Sequence, residues 1–93
     1  MIINRLTAIA VIGLGAAGCV TVALAPGAEK VKITKNASDV ASCKAVGNVV
    51  SQPMGPEATN ADLQNKTLGL GGNTIFVTGA NGRSVEGVAY SCP

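Results

Sequence analysis

A chain of 93 residues has room for one small domain, and at that size only about 60% of the unfolded surface is buried, so a covalent staple or an anchor is expected. The chain has no histidine, which excludes a histidine-based catalytic triad and imidazole metal ligands. Seven basic and five acidic residues leave a net charge of +2, too weak a field to point to nucleic acid as a partner.

The apolar excess is concentrated at the start. Met1 to Arg5 carries one positive charge, and Leu6 to Ala17 is an uncharged run of Ala, Ile, Val, Leu and Gly, which is the shape of a secretory signal peptide. The run ends in Ala16-Ala17-Gly18-Cys19, two small residues directly before a cysteine. This resembles a bacterial lipobox. The resemblance implies a signal peptide over residues 1–18, cleavage between Gly18 and Cys19, diacylglycerol on the Cys19 thiol and a second acylation of the new amine. Two or more acyl chains give stable anchoring where one is marginal. Val20 stands where lipoproteins retained at the inner membrane of double-membraned bacteria carry Asp, which implies the periplasmic face of the outer membrane. A rival reading is open: Leu6 to Ala25 is 20 residues without a charge, and about 20 suffice for an uncleaved spanning helix. Against it, Gly13, Gly15, Gly18 and Thr21 weaken such a helix, and no basic cluster follows.

With Cys19 assigned to lipid, Cys43 and Cys92 remain. An exported compartment is oxidising, and two cysteines in a small exported domain are expected to pair. They lie 49 residues apart, a loop whose closure is worth about 4 kcal/mol in the chain-entropy model. As a metal site the pair would lack histidine, a third thiolate and C-x-x-C spacing, so neither a metal nor a cofactor is expected. Cleavage before Cys19 removes 18 of the 93 residues and one basic side chain, leaving 75 residues with six basic and five acidic groups. Cys19 to Ala28 reads as a tether broken by Pro26-Gly27, reaching at most about 36 Å if fully extended. The folded domain is expected over residues 29–93.

Along that domain, Glu29 to Thr34 alternates polar and apolar with period two and predicts a strand with Val31 and Ile33 inward. Asn36 to Asp39 is a polar break, and Asn36-Ala37-Ser38, although it matches a glycosylation sequon, reads as a turn. Ala41 to Ser51 predicts a second strand with Gly47 as a bulge or close-approach point. Gln52 to Glu57, with Pro53, Gly55 and Pro56, predicts a loop. Asn60 to Leu70 predicts a helix capped by Asn60, with Asp62 in its first turn, Leu63 and Leu70 on one face, and Gly71-Gly72 as its stop. Asn73 to Thr78 predicts a buried central strand, Asn81-Gly82 a hairpin, and Val85 to Ser91 the returning strand. The expected fold is α+β: a small four-stranded, mostly antiparallel sheet with one packed helix, in the order ββαββ, closed by one disulfide.

The motifs Gly18-Cys19, Pro26-Gly27-Ala28-Glu29-x-Val31, Cys43-x-x-x-Gly47-x-Val49, Leu63-x-Asn65, Leu70-Gly71-Gly72-Asn73 and Ala89-Tyr90-Ser91-Cys92-Pro93 together resemble a family of short bacterial lipoproteins of unknown function. The segment around Leu63-x-Asn65 and Leu70-Gly71-Gly72-Asn73 is distantly similar to the outer-membrane lipoproteins that sense envelope stress for the Rcs phosphorelay. The expected work is binding, sensing or maintenance in the cell envelope through protein contacts.

No residue pattern calls for catalysis. Gly69-x-Gly71-Gly72 follows a helix, where a phosphate loop would precede one. Ser42 and Lys44 have the spacing of a shared strand face, which could form a nucleophile and base pair, while exposed Ser and Lys at this spacing are common. Glu29, Asp39, Glu57, Asp62 and Glu86 are scattered. Asn65, Asn73 and Tyr90 are the candidate binding residues, although Asn73 also suits a turn and Tyr90 suits packing beside the disulfide. The reading is a non-enzymatic outer-membrane lipoprotein, bound to the membrane by lipid on Cys19, with an envelope protein as partner and no nucleic acid. The alternatives are a small-ligand or metal-binding periplasmic module and a short inner-membrane protein with an uncleaved helix.

Overall fold

The computed structural model describes residues 21–52 and 54–93; the expected signal peptide, Gly18 and Cys19 lie outside the described residues. Strands β1 (Lys32–Thr34), β2 (Lys44–Ser51), β3 (Thr74–Ala80) and β4 (Val85–Ser91) and the helix α1 (Pro56–Gly69) follow in the order ββαββ. The fold is α+β, as the sequence predicts. The strands lie in the order β1-β3-β4-β2. β4 pairs antiparallel with both β2 and β3, and β1 pairs parallel with β3.

Because β1 and β2 occupy opposite edges, the segment joining them must cross the sheet. α1 packs on one face against all four strands. The joining segment passes over the other: side chains alternate along β1, so Thr34 points away from the face of Ile33, and its hydroxyl donates to the Asp39 carboxylate in the 3-10 turn Ala37–Val40. Val40 is buried there. The core lies between α1 and the sheet, formed by Val31, Val49, Leu63, Ile75 and Ala89, with Ile33, Val46, Leu68, Val77 and Val85 packed around them. Both aromatic residues are left out of it. Phe76 and Tyr90 neighbour Ile75 and Ala89 in sequence and therefore face the other way.

Cys43 and Cys92 are joined as a disulfide with Cα atoms 4.4 Å apart. Cys43 directly precedes β2 and Cys92 directly follows β4; pairing of Lys44 with Ser91 brings the two together. Gly47 serves both expected purposes. The β2 to β4 register shifts between Ala45 and Gly47, and a Cβ on Gly47 would lie 2.9 Å from Leu70 Cδ1.

Several expectations need correction. The helix starts four residues before Asn60: Gly55 is its N-cap and Pro56 its first residue. Proline reads as a loop marker, but at the first helical position its missing N–H costs nothing and its fixed φ suits the helix. Asn60 is thus within the helix and does not cap it, and Glu57, not Asp62, lies in the first turn. Leu70 does not share the buried face of Leu63; it is the C-cap residue, 43% exposed. The stop itself is a Schellman motif, with Gly72 N–H donating to the Thr67 carbonyl and Gly71 N–H to that of Leu68, each at 2.9 Å. It requires a positive φ at Gly71, which is +84°. The first strand is shorter than expected, because Ala28–Lys30 forms a 3-10 turn, although Val31 is buried and Ile33 packs against the core. The second strand likewise starts at Lys44, later than Ala41.

Thr67 is fully buried, and its hydroxyl has no hydrogen-bond partner among the described residues. Thr67→Val keeps the shape and removes an unsatisfied group. We expect the substitution to stabilise the protein by about 1 kcal/mol in urea unfolding; a loss of stability would mean that the hydroxyl has a partner, such as buried water.

Candidate functional site

The helix sequence Pro56–Gly69 has few large apolar residues, and besides the buried Leu63 it is fastened to the rest of the fold by polar side chains pointing in different directions. Gln64 Nε2 donates to the Val31 carbonyl at 3.0 Å, tying α1 to the β1 edge. On the β2 edge, Ser51 Oγ donates to Asp62 at 2.7 Å, and Lys66 Nζ bridges Asp62 at 2.9 Å and the Val50 carbonyl at 2.8 Å. Burial raises the proton affinity of Asp62, but the Ser51 hydroxyl and the Lys66 ammonium outweigh it, and the net pKa lies below the ordinary value of 3.8.

The sign of the resulting pH dependence follows from that direction. A carboxylate whose folded pKa lies below its unfolded value stabilises the fold above the unfolded value and loses that contribution as pH falls through the folded one. Asp39 shifts in the same direction, chiefly through the Thr34 hydroxyl. Stability is therefore expected to decline as pH falls below 3.8, and Asp62→Asn should make that decline shallower in acid titrations of the urea midpoint. An unchanged slope would remove Asp62 from the acid response.

Asn65 is the third fastening. Its Oδ1 accepts the Ala25 N–H and its Nδ2 donates to the Ala23 carbonyl, both at 2.8 Å. The amide thereby pairs with the backbone as a neighbouring strand would. The chain continues toward the start of α1, where Thr21 and Val22 lie beside Glu57 and Ala58. This corrects the expected boundary at residue 29. Residues 23–28 belong to the folded unit, and Ala28 is fully buried. We expect Asn65→Ala to expose residues 21–27 to protease and to speed exchange of the Ala25 amide, at a cost of about 1–2 kcal/mol for two hydrogen bonds. Unchanged exchange at Ala25 would mean that other contacts hold the segment.

Asn73 performs a similar task at the other end. Its Nδ2 donates to the Cys92 carbonyl and its Oδ1 accepts the Cys92 N–H, both at 2.8 Å. The two asparagines proposed as binding residues thus spend their amides on backbone, one fixing the entering segment and the other the disulfide end. Tyr90 is half-buried, with Ala45 and Thr74 as cross-strand neighbours. Asn73 and Tyr90 adjoin, the Asn73 N–H donating to the Tyr90 carbonyl at 2.9 Å, whereas Asn65 is engaged with Ala23 and Ala25. Ser42 lies in a turn before β2, so it shares no strand face with Lys44. Among the described residues, no group of three cysteine, aspartate or glutamate side chains is placed to hold a metal ion.

A groove of about 400 Å³ lies between the first turns of α1 and the sheet. Ile33, Leu63, Val77 and Val85 line it, with the exposed Lys35 and Asn60. Sequence reasoning missed it because four separate elements contribute to it, and no spacing along the chain marks such a convergence.

No protein-family model, no curated protein and no solved structure matches this chain.

Proposed function

We propose that this protein is a lipoprotein of the bacterial envelope, carried on a membrane by acyl chains on Cys19, and that it works through contact with another envelope protein and not by catalysis. The observation that carries the reading is the cysteine pairing. Of three cysteines, Cys43 and Cys92 are consumed by the disulfide, and the one left over stands at the end of an apolar leader behind two small residues. A disulfide fits an exported, oxidising compartment, and an unpaired cysteine at that position fits lipidation. Val20 supports the outer membrane as the address.

The Asn65 fastening changes the reach of the anchor. With Ala23 held against α1, the four steps from Cys19 to Ala23 span at most about 14 Å. The folded unit would then sit close against its membrane. Phe76, Val88 and Tyr90 support the partner reading. They are half-exposed on the sheet face opposite α1, where aromatic side chains suit protein contacts.

The test is the intact mass of the protein extracted from membranes, alkylated with and without prior reduction. The expected result is a chain beginning at Cys19 with acyl chains attached and two thiols that react only after reduction. A mass beginning at Met1, or thiols already free, would overturn the reading.

A further inference from the structure

The groove beside α1 takes part in none of the fastenings described above. Its volume of about 400 Å³ falls in the range of small-molecule sites, roughly 300–1,000 Å³. Its walls are aliphatic, and it contains no aromatic side chain on which a base or sugar ring would stack. Thr59, one of the few polar residues in it, already accepts the Met54 N–H at 3.0 Å. That leaves little to recognise a ligand rich in polar groups, such as a nucleotide or a sugar phosphate.

Among the described residues, Lys35 is the single charged side chain lining the groove. The ion pairs among the described residues are Lys32 with Asp39 and Lys66 with Asp62, so Lys35 has no carboxylate neutralising it. An aliphatic trough with one uncompensated ammonium complements a ligand of two parts: a hydrocarbon chain to cover the walls and one anionic group to meet the lysine. The ammonium is exposed, so it selects and orients the head while apolar contact supplies most of the affinity.

We propose that this groove binds a single-chain amphiphile with an anionic head, the tail lying along Ile33, Val77 and Val85 and the head at Lys35. A fatty acid and a lysophospholipid share this chemistry. The site lies at the same end of α1 as Thr21 and Val22, which flank Glu57 and Ala58 while Gly55, Pro56, Thr59 and Asn60 line the groove. Binding itself depends only on the folded unit and holds whether or not Cys19 carries lipid.

The experiment uses the full chain isolated from membranes, disulfide intact, in phosphatidylcholine vesicles. It is exposed to a palmitic acid probe bearing a diazirine and an alkyne, irradiated, and mapped by mass spectrometry. Adducts are expected on peptides containing Val77, Ala80 and Val85. Ala80→Trp, which fills the groove from an exposed position, should abolish them, whereas Val50→Trp on the edge strand β2 should not. Lys35→Glu should reduce labelling by at least about fivefold, since it removes one exposed ion pair and sets a carboxylate against the anionic head. Unlabelled palmitate or lysophosphatidylglycerol should compete, and whichever competes better identifies the head; hexadecanol should compete about fivefold more weakly. Equal competition by hexadecanol, or labelling indifferent to both Ala80→Trp and Lys35→Glu, overturns the proposal. Labelling that appears only in a Cys19→Ser chain also overturns it, because the groove would then be filled by the protein's own acyl chain. The intact mass of the same sample reports separately on the anchor.

Discussion

Replacing Cys43 and Cys92 together by serine is expected to remove about 4 kcal/mol of unfolding free energy, the loop-closure value for a separation of 49 residues. Small domains have little stability to spare, with totals of about 5–15 kcal/mol for proteins in general and the low end for short chains. The double variant should therefore be largely unfolded at 37 °C, with its urea midpoint reduced by well over half. The bond joins the start of β2 to the end of β4, and exchange of the β2 amides should rise most, because among the described residues β2 is an edge strand with β4 as its one neighbour. Part of the end remains pinned without it, since Asn73 holds both backbone groups of Cys92. A loss below about 1 kcal/mol, one ordinary hydrogen bond's worth, would show that the asparagine and the ladder suffice, and that the cysteines serve some purpose other than stability.

The parts of this fold that could be read from the sequence are those with a local cause. The Asn81-Gly82 hairpin is one. Asn81 Oδ1 accepts the N–H groups of Arg83 and Ser84 at 2.7 and 2.8 Å and closes the loop between β3 and β4. The Gly71 stop is likewise set by residues within a few positions. The disulfide could be inferred because, once the sequence reading assigns Cys19 to lipid, two of the three cysteines remain to pair.

The misjudged parts depend on partners distant in sequence. The sequence before Asn60 looks like a loop because Pro56 opens it, yet Ala58 and Ala61 are buried. Small residues like these give no strong apolar period, so the first turns of α1 could not be seen as a helix. The tether could not be recognised as folded, because the side chain that fastens it is an amide 40 residues away, at Asn65. Leu63-x-Asn65 marks that position by resemblance only, and composition gives no hint that the amide would face backbone. The groove was invisible for the same reason. It exists because α1 starts early and leaves space above the ends of β1 and β3, and Lys35 acquires meaning only once β1 is placed at that edge.

Leu63→Ala is the second large effect expected. Leu63 is 1% exposed and is the largest fully buried side chain, in a core otherwise made of valine, alanine and isoleucine. Leu-to-Ala changes at buried sites cost about 2–5 kcal/mol, the spread reflecting how far the site collapses around the void. Here two features oppose each other. The sheet beneath Leu63 is held by ladders and by the disulfide and cannot close over the gap, which favours a high cost. The side chain also lines the groove, so the space created opens to solvent or ligand instead of remaining an empty internal cavity, which favours a lower one. We expect about 3 kcal/mol, measured by urea unfolding with the disulfide intact. Val50→Ala, at an edge-strand position 49% exposed, should cost less than about 0.5 kcal/mol. If the groove holds a hydrocarbon chain, adding palmitate should recover more stability in Leu63→Ala than in the parent protein, because the enlarged space accepts more of the tail. Equal recovery would place the fatty acid elsewhere, and a cost below about 1 kcal/mol would mean that the helix is held chiefly by its polar fastenings at Asp62, Gln64, Asn65 and Lys66.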